Sequence, residues 1–275
     1  MRTVVVIAKS AIKEHSRRKL ILIGVIVSLL TMALLLYFAV TRDQTDVLFG
    51  QPSRGASGAT IASFASLGFL GLFALFVALA VSMGNVGQPF SNGEATLVLA
   101  RPVARWQYAL GRLAASVVIV IGFCALLAVE MQIVSVVGGS GISGELWQHW
   151  GSEAFNLSLI AAITTLLSVF VSTPIVVAVI SFFVNQLVGG LTFLHALVGA
   201  NVIKGFVAKV VEVLWYVTPK YIQSGLARRG AAAEGSSASE IVRAFSNSTG
   251  MTLWAVAYLI GIVAVTVLLV KRKEI

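Results

Sequence analysis

The sequence predicts an all-α polytopic membrane protein with six transmembrane helices, and three observations carry that prediction. Hydrophobic residues make up 58% of the chain and charged residues 11%, with a mean hydropathy of +0.94, which leaves too little polar surface for a water-soluble domain. Six apolar stretches reach the roughly 20 residues that a helix needs to cross a hydrocarbon core about 30 Å thick. The longest apolar run, 155–197, would extend about 65 Å as a single helix, and Ser172-Thr173-Pro174 interrupts it. Spans and short connections take up nearly all of the 275 residues, leaving no room for a soluble domain of about 100 to 150 residues. One membrane domain therefore covers 1–275.

Residues 1–19 place Lys9, Lys13 and Arg17 at i, i+4 and i+8, while Val4, Ile7 and Ala11 share another face. This predicts an amphipathic helix lying on the membrane surface. It is not read as a signal peptide, because the apolar run that follows is longer than an h-region of about 7 to 15 residues and no small-x-small cleavage site follows it. The first span, 20–40, contains fourteen Leu, Ile, Val or Phe residues, which favour insertion by roughly 4 to 8 kcal/mol. The second, third and fourth spans are placed at 60–83, 113–137 and 155–171, the fifth at 175–197 and the sixth at 252–270. Proline suits the first turn of a helix, and Ser172 or Thr173 can cap that turn, so the fourth and fifth spans form a tight hairpin.

Between the second and third spans runs a basic loop, 93–112. Gly93 opens a turn, 96–100 form a short apolar-rich segment, Pro102 breaks it, and 105–112 lead into the next helix. Arg101, Arg105 and Arg112 flank the segment with charge, and Leu97, Leu99, Trp106 and Tyr108 offer apolar and aromatic contact. That composition suits a protein interface, and it equally suits a positive flank with an aromatic belt at the headgroups. In the long loop 198–251, Asn201, Lys204, Ala208, Lys209 and Glu212 fall on one arc, and Val202, Ile203, Phe206, Val207, Val210 and Val211 occupy the rest. This predicts an interfacial or re-entrant helix over 201–212, followed by Trp215-Tyr216 at the aromatic belt and ended by Pro219.

Lys and Arg near span ends set orientation. Residues 1–19, 84–112 and 271–275 carry twelve, against eight in 41–59, 138–154 and 198–251, so both termini are predicted cytoplasmic. The net charge of +9 is assigned to topology and anionic lipid rather than to nucleic acid.

Within the predicted spans Glu130 is the only acid. A charged carboxylate there disfavours insertion by about 2.5 to 3.5 kcal/mol, which makes it a candidate for lining a substrate path. Asn185 and Gln186 are further candidates, although with Gly189, Gly190 and His195 they also suit close helix packing. His15, His149 and His195 have no metal-like spacing, and no His-Glu-x-x-His or nucleophile elbow occurs. No Gly-x-x-x-x-Gly-Lys-Ser/Thr stretch is present either, so ATP is not bound by a phosphate-cradling loop of this chain. A transporter that is not itself an enzyme fits these residues. An ion-gradient-driven secondary transporter, hinted at only by the glycine pair of the fifth span, and a non-transporting assembly factor also remain open.

The pattern Gly93, Thr96, Leu97, Ala100, Arg101-Pro102, Arg105, Tyr108, Leu110-Gly111-Arg112 resembles the cytoplasmic coupling segment of ABC-2 type permeases, the transmembrane subunits of type-2 ABC exporters. The layout of spans, the basic amphipathic start and the long segment before the sixth span agree with that family. Ile61-Ala62-Ser63-Phe64-Ala65-Ser66-Leu67 adds a similarity to the permease of the nitrous-oxide-reductase maturation transporter. Two features depart from the family: 86–92 supply no acid where an acidic cluster often stands, and Arg112 replaces the usual Lys. The resemblance implies a permease in a prokaryotic plasma membrane that exports or flips a substrate and pairs with a second copy or a close paralogue. It also implies docking of two ATPase subunits, which bring ATP and Mg, onto Gly93, Glu94, Thr96, Leu97, Arg101, Pro102, Arg105 and Trp106. In that family the segment before the last span forms short re-entrant helices closing the outer end of the path.

Overall fold

The computed structural model describes residues 2–17, 19–40, 69–91, 103–139, 141–199, 202–222 and 249–272. Among them every regular element is helical, in the order α1 (Arg2–Arg17), α2 (Lys19–Val40), α3 (Gly71–Ser82), α4 (Gly87–Ser91), α5 (Arg105–Val137), α6 (Gly144–Phe170), α7 (Pro174–Gly199), α8 (Phe206–Val217) and α9 (Thr249–Arg272). Five stretches are long and apolar enough to cross a membrane: Gly71–Pro89, Arg105–Val137, Gly144–Phe170, Pro174–Leu191 and Thr252–Arg272. In α2 the described apolar stretch is the shorter Ile21–Tyr37. The chain is a helical integral membrane protein.

The α5/α6 hairpin forms the centre. α2 and α3 pack on α5, α3 also on α6, α9 on both, α7 on α6, and α8 on α7. The main core gathers Leu70, Leu75 and Leu79 of the α3 segment, Leu127 and Met131 of α5, and Trp150 and Ile160 of α6. Buried hydroxyls on α6 do not strand a donor: Ser158, Thr164 and Thr165 each donate to the carbonyl four residues earlier, at 2.6, 2.7 and 2.8 Å. By contrast, α7 and α9 bury only 22% of their most apolar windows against the rest of the chain.

Several helix bounds differ from those read in the sequence. α5 begins at Arg105 and has 33 residues, about 50 Å of helix, so its first turns extend past a 30 Å core. α6 begins at Gly144, well before 155, and brings Glu145 and Glu153 into a candidate span. Glu130 is therefore not the only acid in such a helix. α7 starts at Pro174, and Val177 N–H bonds the Thr173 carbonyl at 3.2 Å, which places proline in the first turn as expected.

The helix predicted over 201–212 is corrected to Phe206–Val217. Gly205, at φ 77° and ψ −144°, adopts a conformation open to glycine and strained for other residues, and this breaks the helical path. Val202 and Ile203 N–H both bond the Leu197 carbonyl, at 3.0 and 3.4 Å, and finish the end of α7 instead. Lys204 precedes α8, Lys209 and Glu212 are exposed on it, and the buried face is Val211 and Trp215, one turn apart.

Candidate functional site

Arg112, two turns into α5, has a side chain that is 8% exposed. Burying a guanidinium demands partners, and three are supplied. Nη2 donates to Glu14 Oε2 at 2.5 Å, Nη1 donates to the Asn85 carbonyl at 3.4 Å, and the charge lies 5.4 Å from the centre of the Tyr108 ring one turn earlier. Asn85 sits in the turn between α3 and α4. Its amide donates to Ser116 Oγ of α5 at 2.6 Å and to Thr165 Oγ1 of α6 at 3.2 Å. Ser116 Oγ in turn donates to the carbonyls of Val81 and Arg112, at 3.4 and 3.3 Å. One polar junction thus ties α1, the α3–α4 turn, α5 and α6. Val86, Ala109, Val169 and Val270 pack together and bring in the last turns of α9.

Two glycines let the backbones close around this junction. A Cβ on Gly111 would lie 2.7 Å from Ile7 Cγ2 and 3.1 Å from the Val4 carbonyl, so α1 rests directly on α5. A Cβ on Gly87 would lie 2.2 Å from the Ser168 carbonyl and 2.9 Å from that of Val171, so α4 abuts the end of α6. The predicted apolar face of α1 exists, since Ile7 and Ala11 are buried. Ile7 packs on Tyr108, however, so this face meets α5. Lys9 and Lys13 lie on the exposed side, and Arg17 ends the helix.

Of the residues singled out in the basic loop, Gly93, Glu94, Thr96, Leu97, Leu99, Arg101 and Pro102 lie outside the described residues, as do 61–67. Arg105 and Trp106 form the first turn of α5, with Trp106 exposed. Tyr108 and Arg112, read in the sequence as an aromatic contact and a flanking charge of the loop, are buried. The reason is that α1 folds over that face, which spacing within the loop cannot reveal. Glu14, Asn85, Ser116 and Thr165 were not anticipated. The available signal was an Asn placed two residues after the apolar run of the second span.

Further along the bundle, Glu130 is 2% exposed and sits between α5 and α2, where Ser28 Oγ donates to Oε1 at 3.0 Å. Its Oε2 has no hydrogen-bond partner among the described residues. Asn185 accepts from the Tyr221 hydroxyl at 2.6 Å. Nearby, Asn156 holds Ile222 by a two-bond clasp, its amide donating to the carbonyl at 3.0 Å and its Oδ1 accepting from the N–H at 2.9 Å. The segment leaving α8 is therefore pinned to α6 and α7. Burial, with Glu153 nearby, pushes the Tyr221 phenol up, which keeps it a donor. Lys220 Nζ lies 5.2, 5.4 and 5.7 Å from the ring centres of Trp215, Tyr216 and Trp254, and burial lowers its pKa. The His195 ring stacks on Trp215 with centroids 4.5 Å apart.

Gln186 is exposed, and a Cβ on Gly189 or Gly190 would meet nothing within 4 Å. The close approach expected of these glycines is not made within the described chain. No group of three or more His, Cys, Asp or Glu residues suited to a metal ion occurs among the described residues. No protein-family model matches this chain, and neither does any curated protein.

Proposed function

We propose that the chain is the permease subunit of an ATP-binding-cassette transporter, a six-span protein with both termini cytoplasmic that exports or flips a substrate using ATPase subunits docked on 93–112. The observation that carries this reading is the junction at Arg112. It stands at the end of the basic loop and joins α1, the α3–α4 turn, α5 and α6 through buried polar contacts. A push on the loop would reach several spans at once, because a packed polar cluster transmits displacement where a flexible link would absorb it. Glu14, the partly exposed partner of Arg112, lets α1 move with that push.

ATP and Mg belong to the ATPase partners in this reading, and Glu130, Asn185 and Gln186 are the residues of the spans considered for the substrate path. A second copy of the chain fits the exposed face of α7. Gln186 presents an amide on that exposed face, its Oε1 accepting from Asn185 at 3.2 Å, and Gly189 and Gly190 leave open space beside it. An amide facing hydrocarbon favours a bond to a neighbouring helix. α8 would close the outer end of the path, held by the Asn156 clasp and the Tyr221 bond.

The test is affinity purification of the tagged full-length chain from its native membrane. The expected result is a co-purifying soluble ATPase whose association, together with transport, is lost when 100–105 are deleted. A transport-competent particle lacking any ATPase would instead place the chain among ion-driven carriers. A stable particle with neither would place it among membrane assembly factors.

A further inference from the structure

Glu130 is buried on α5, and Ser28 of α2, buried beside it, supplies its one hydrogen bond, to Oε1 at 3.0 Å. Even that bond is shared, because the Ser28 hydroxyl also lies 2.9 Å from the Val25 carbonyl and has a single proton to give. Oε2 has no partner among the described residues. No cation compensates the carboxyl either. On α5 itself Arg112 stands 18 positions earlier, about 27 Å of helix. α1 meets α5 at Gly111, and the last turns of α9, which carry Lys271 and Arg272, pack beside Ala109, at that same distant end. On α2 the ionisable residues are Lys19 and Tyr37, each nine positions from Ser28, about 14 Å along the axis. α3 has none. α6 brings Glu145, His149 and Glu153, and none of these bonds Glu130.

We infer that Glu130 is a proton-binding site at the contact of α2 with α5, holding the proton on Oε2 in this packing and releasing it when α2 leaves α5 and water reaches the carboxyl. A carboxylate with no counter-charge and one shared hydrogen bond is too costly for an apolar interior, and such a group neutralises by taking a proton. The hydroxyl that results lacks an acceptor, a far smaller penalty than an unpaired charge. A metal ion is the wrong guest, because a hard cation takes about six or more oxygens and the carbonyls of a helix interior are engaged in its own ladder. Binding is carboxylate plus proton giving carboxylic acid, with no other reactant. The contact is also one that can open. α2 is held by a narrow stripe, Gly24, Ser28 and Leu35, while Leu22, Ile26, Leu29, Leu30 and Leu34 are exposed. The site needs only a membrane setting and is independent of any ATPase.

The experiment is infrared spectroscopy of the full-length protein in lipid vesicles at about pH 8, where solvated carboxyls are ionised. The difference between wild type and Glu130→Gln is expected to show the C=O stretch of one carboxylic acid per chain, shifted by deuterium exchange. Glu153→Gln is expected to keep this band, and Ser28→Ala to raise its frequency as Oε1 loses its donor. If Glu130→Gln does not elute from size exclusion as the wild type does, the shift in Ser28→Ala decides the matter. A second reading is the folded-to-unfolded ratio in a denaturing-detergent titration. Unfolding brings Glu130 to water, where it ionises above about pH 4.3, so it releases a proton and the folded state weakens as pH rises. Relative to Glu130→Gln, the wild-type ratio is expected to fall about ten-fold per pH unit between about pH 5 and 7. A carboxylate signal in place of the acid band, loss of the band when sodium replaces potassium, or the same pH dependence in wild type and Glu130→Gln overturns the assignment.

Discussion

Arg112 and Glu14 form an unequal pair, and the inequality sets what each substitution does. The Arg112 side chain is 8% exposed and that of Glu14 39%. Removing the carboxylate therefore strands a buried guanidinium, whereas removing the guanidinium releases a carboxylate that already reaches water. Glu14→Gln is expected to destabilise the protein by about 3 kcal/mol, the lower end for breaking a buried pair. Arg112→Met is expected to be milder, about 1 to 2 kcal/mol, the scale of lost charge-assisted bonds. Thermal unfolding of the purified variants in one detergent measures the order, and a larger loss for Arg112→Met would contradict this account.

The α3–α4 break is held by contact of backbone against backbone, which makes it sensitive to a single methyl group. A Cβ on Gly87 meets two carbonyls of the α6 end, at 2.2 and 2.9 Å, while one on Gly84 meets only the far end of the Gln88 side chain, at 2.7 Å. A side-chain tip moves aside, but a helix end does so only by shifting as a unit. Gly87→Ala is expected to destabilise by about 1 to 3 kcal/mol through overpacking, and Gly84→Ala by clearly less, as read by the shift in Tm of each. The same reasoning explains why α1 is an integral part of the bundle: Gly111 gives it a seat on α5 that any side chain would lift.

The bundle is unevenly covered. Within their most apolar windows α6 and the α3–α4 stretch bury 61%, against 22% for α7 and for α9. The exposed side of α7 carries Gln186, Gly189 and Gly190. If a second copy packs there, Gln186→Leu removes an interhelical hydrogen bond worth about 0.6 to 2 kcal/mol, which corresponds to association weakened roughly three- to thirty-fold. Gly190→Leu should weaken it further by blocking approach. The dimer fraction across a dilution series in detergent reads both effects, and an unchanged dissociation in the two variants would remove α7 from any interface.

Much of the architecture was legible in the sequence because bilayer thickness is a length rule that local composition obeys. Apolar runs of sufficient length, the Pro174 break and the basic, amphipathic first helix needed no knowledge of neighbours, and the described helices follow them. The limits of α5, α6 and α8 were less legible. The first turns of α5 take their place from α1, and the start of α8 depends on Gly205 turning the chain after α7 has closed on 202–203. Only the tertiary structure decided which polar residues meet. Glu14 and Arg112 are 98 positions apart, and Asn85 and Thr165 are 80 apart, so no periodicity links them. Their pairing follows from the high cost of leaving a charge or an amide unbonded in an apolar interior, a cost that appears only once the helices have packed.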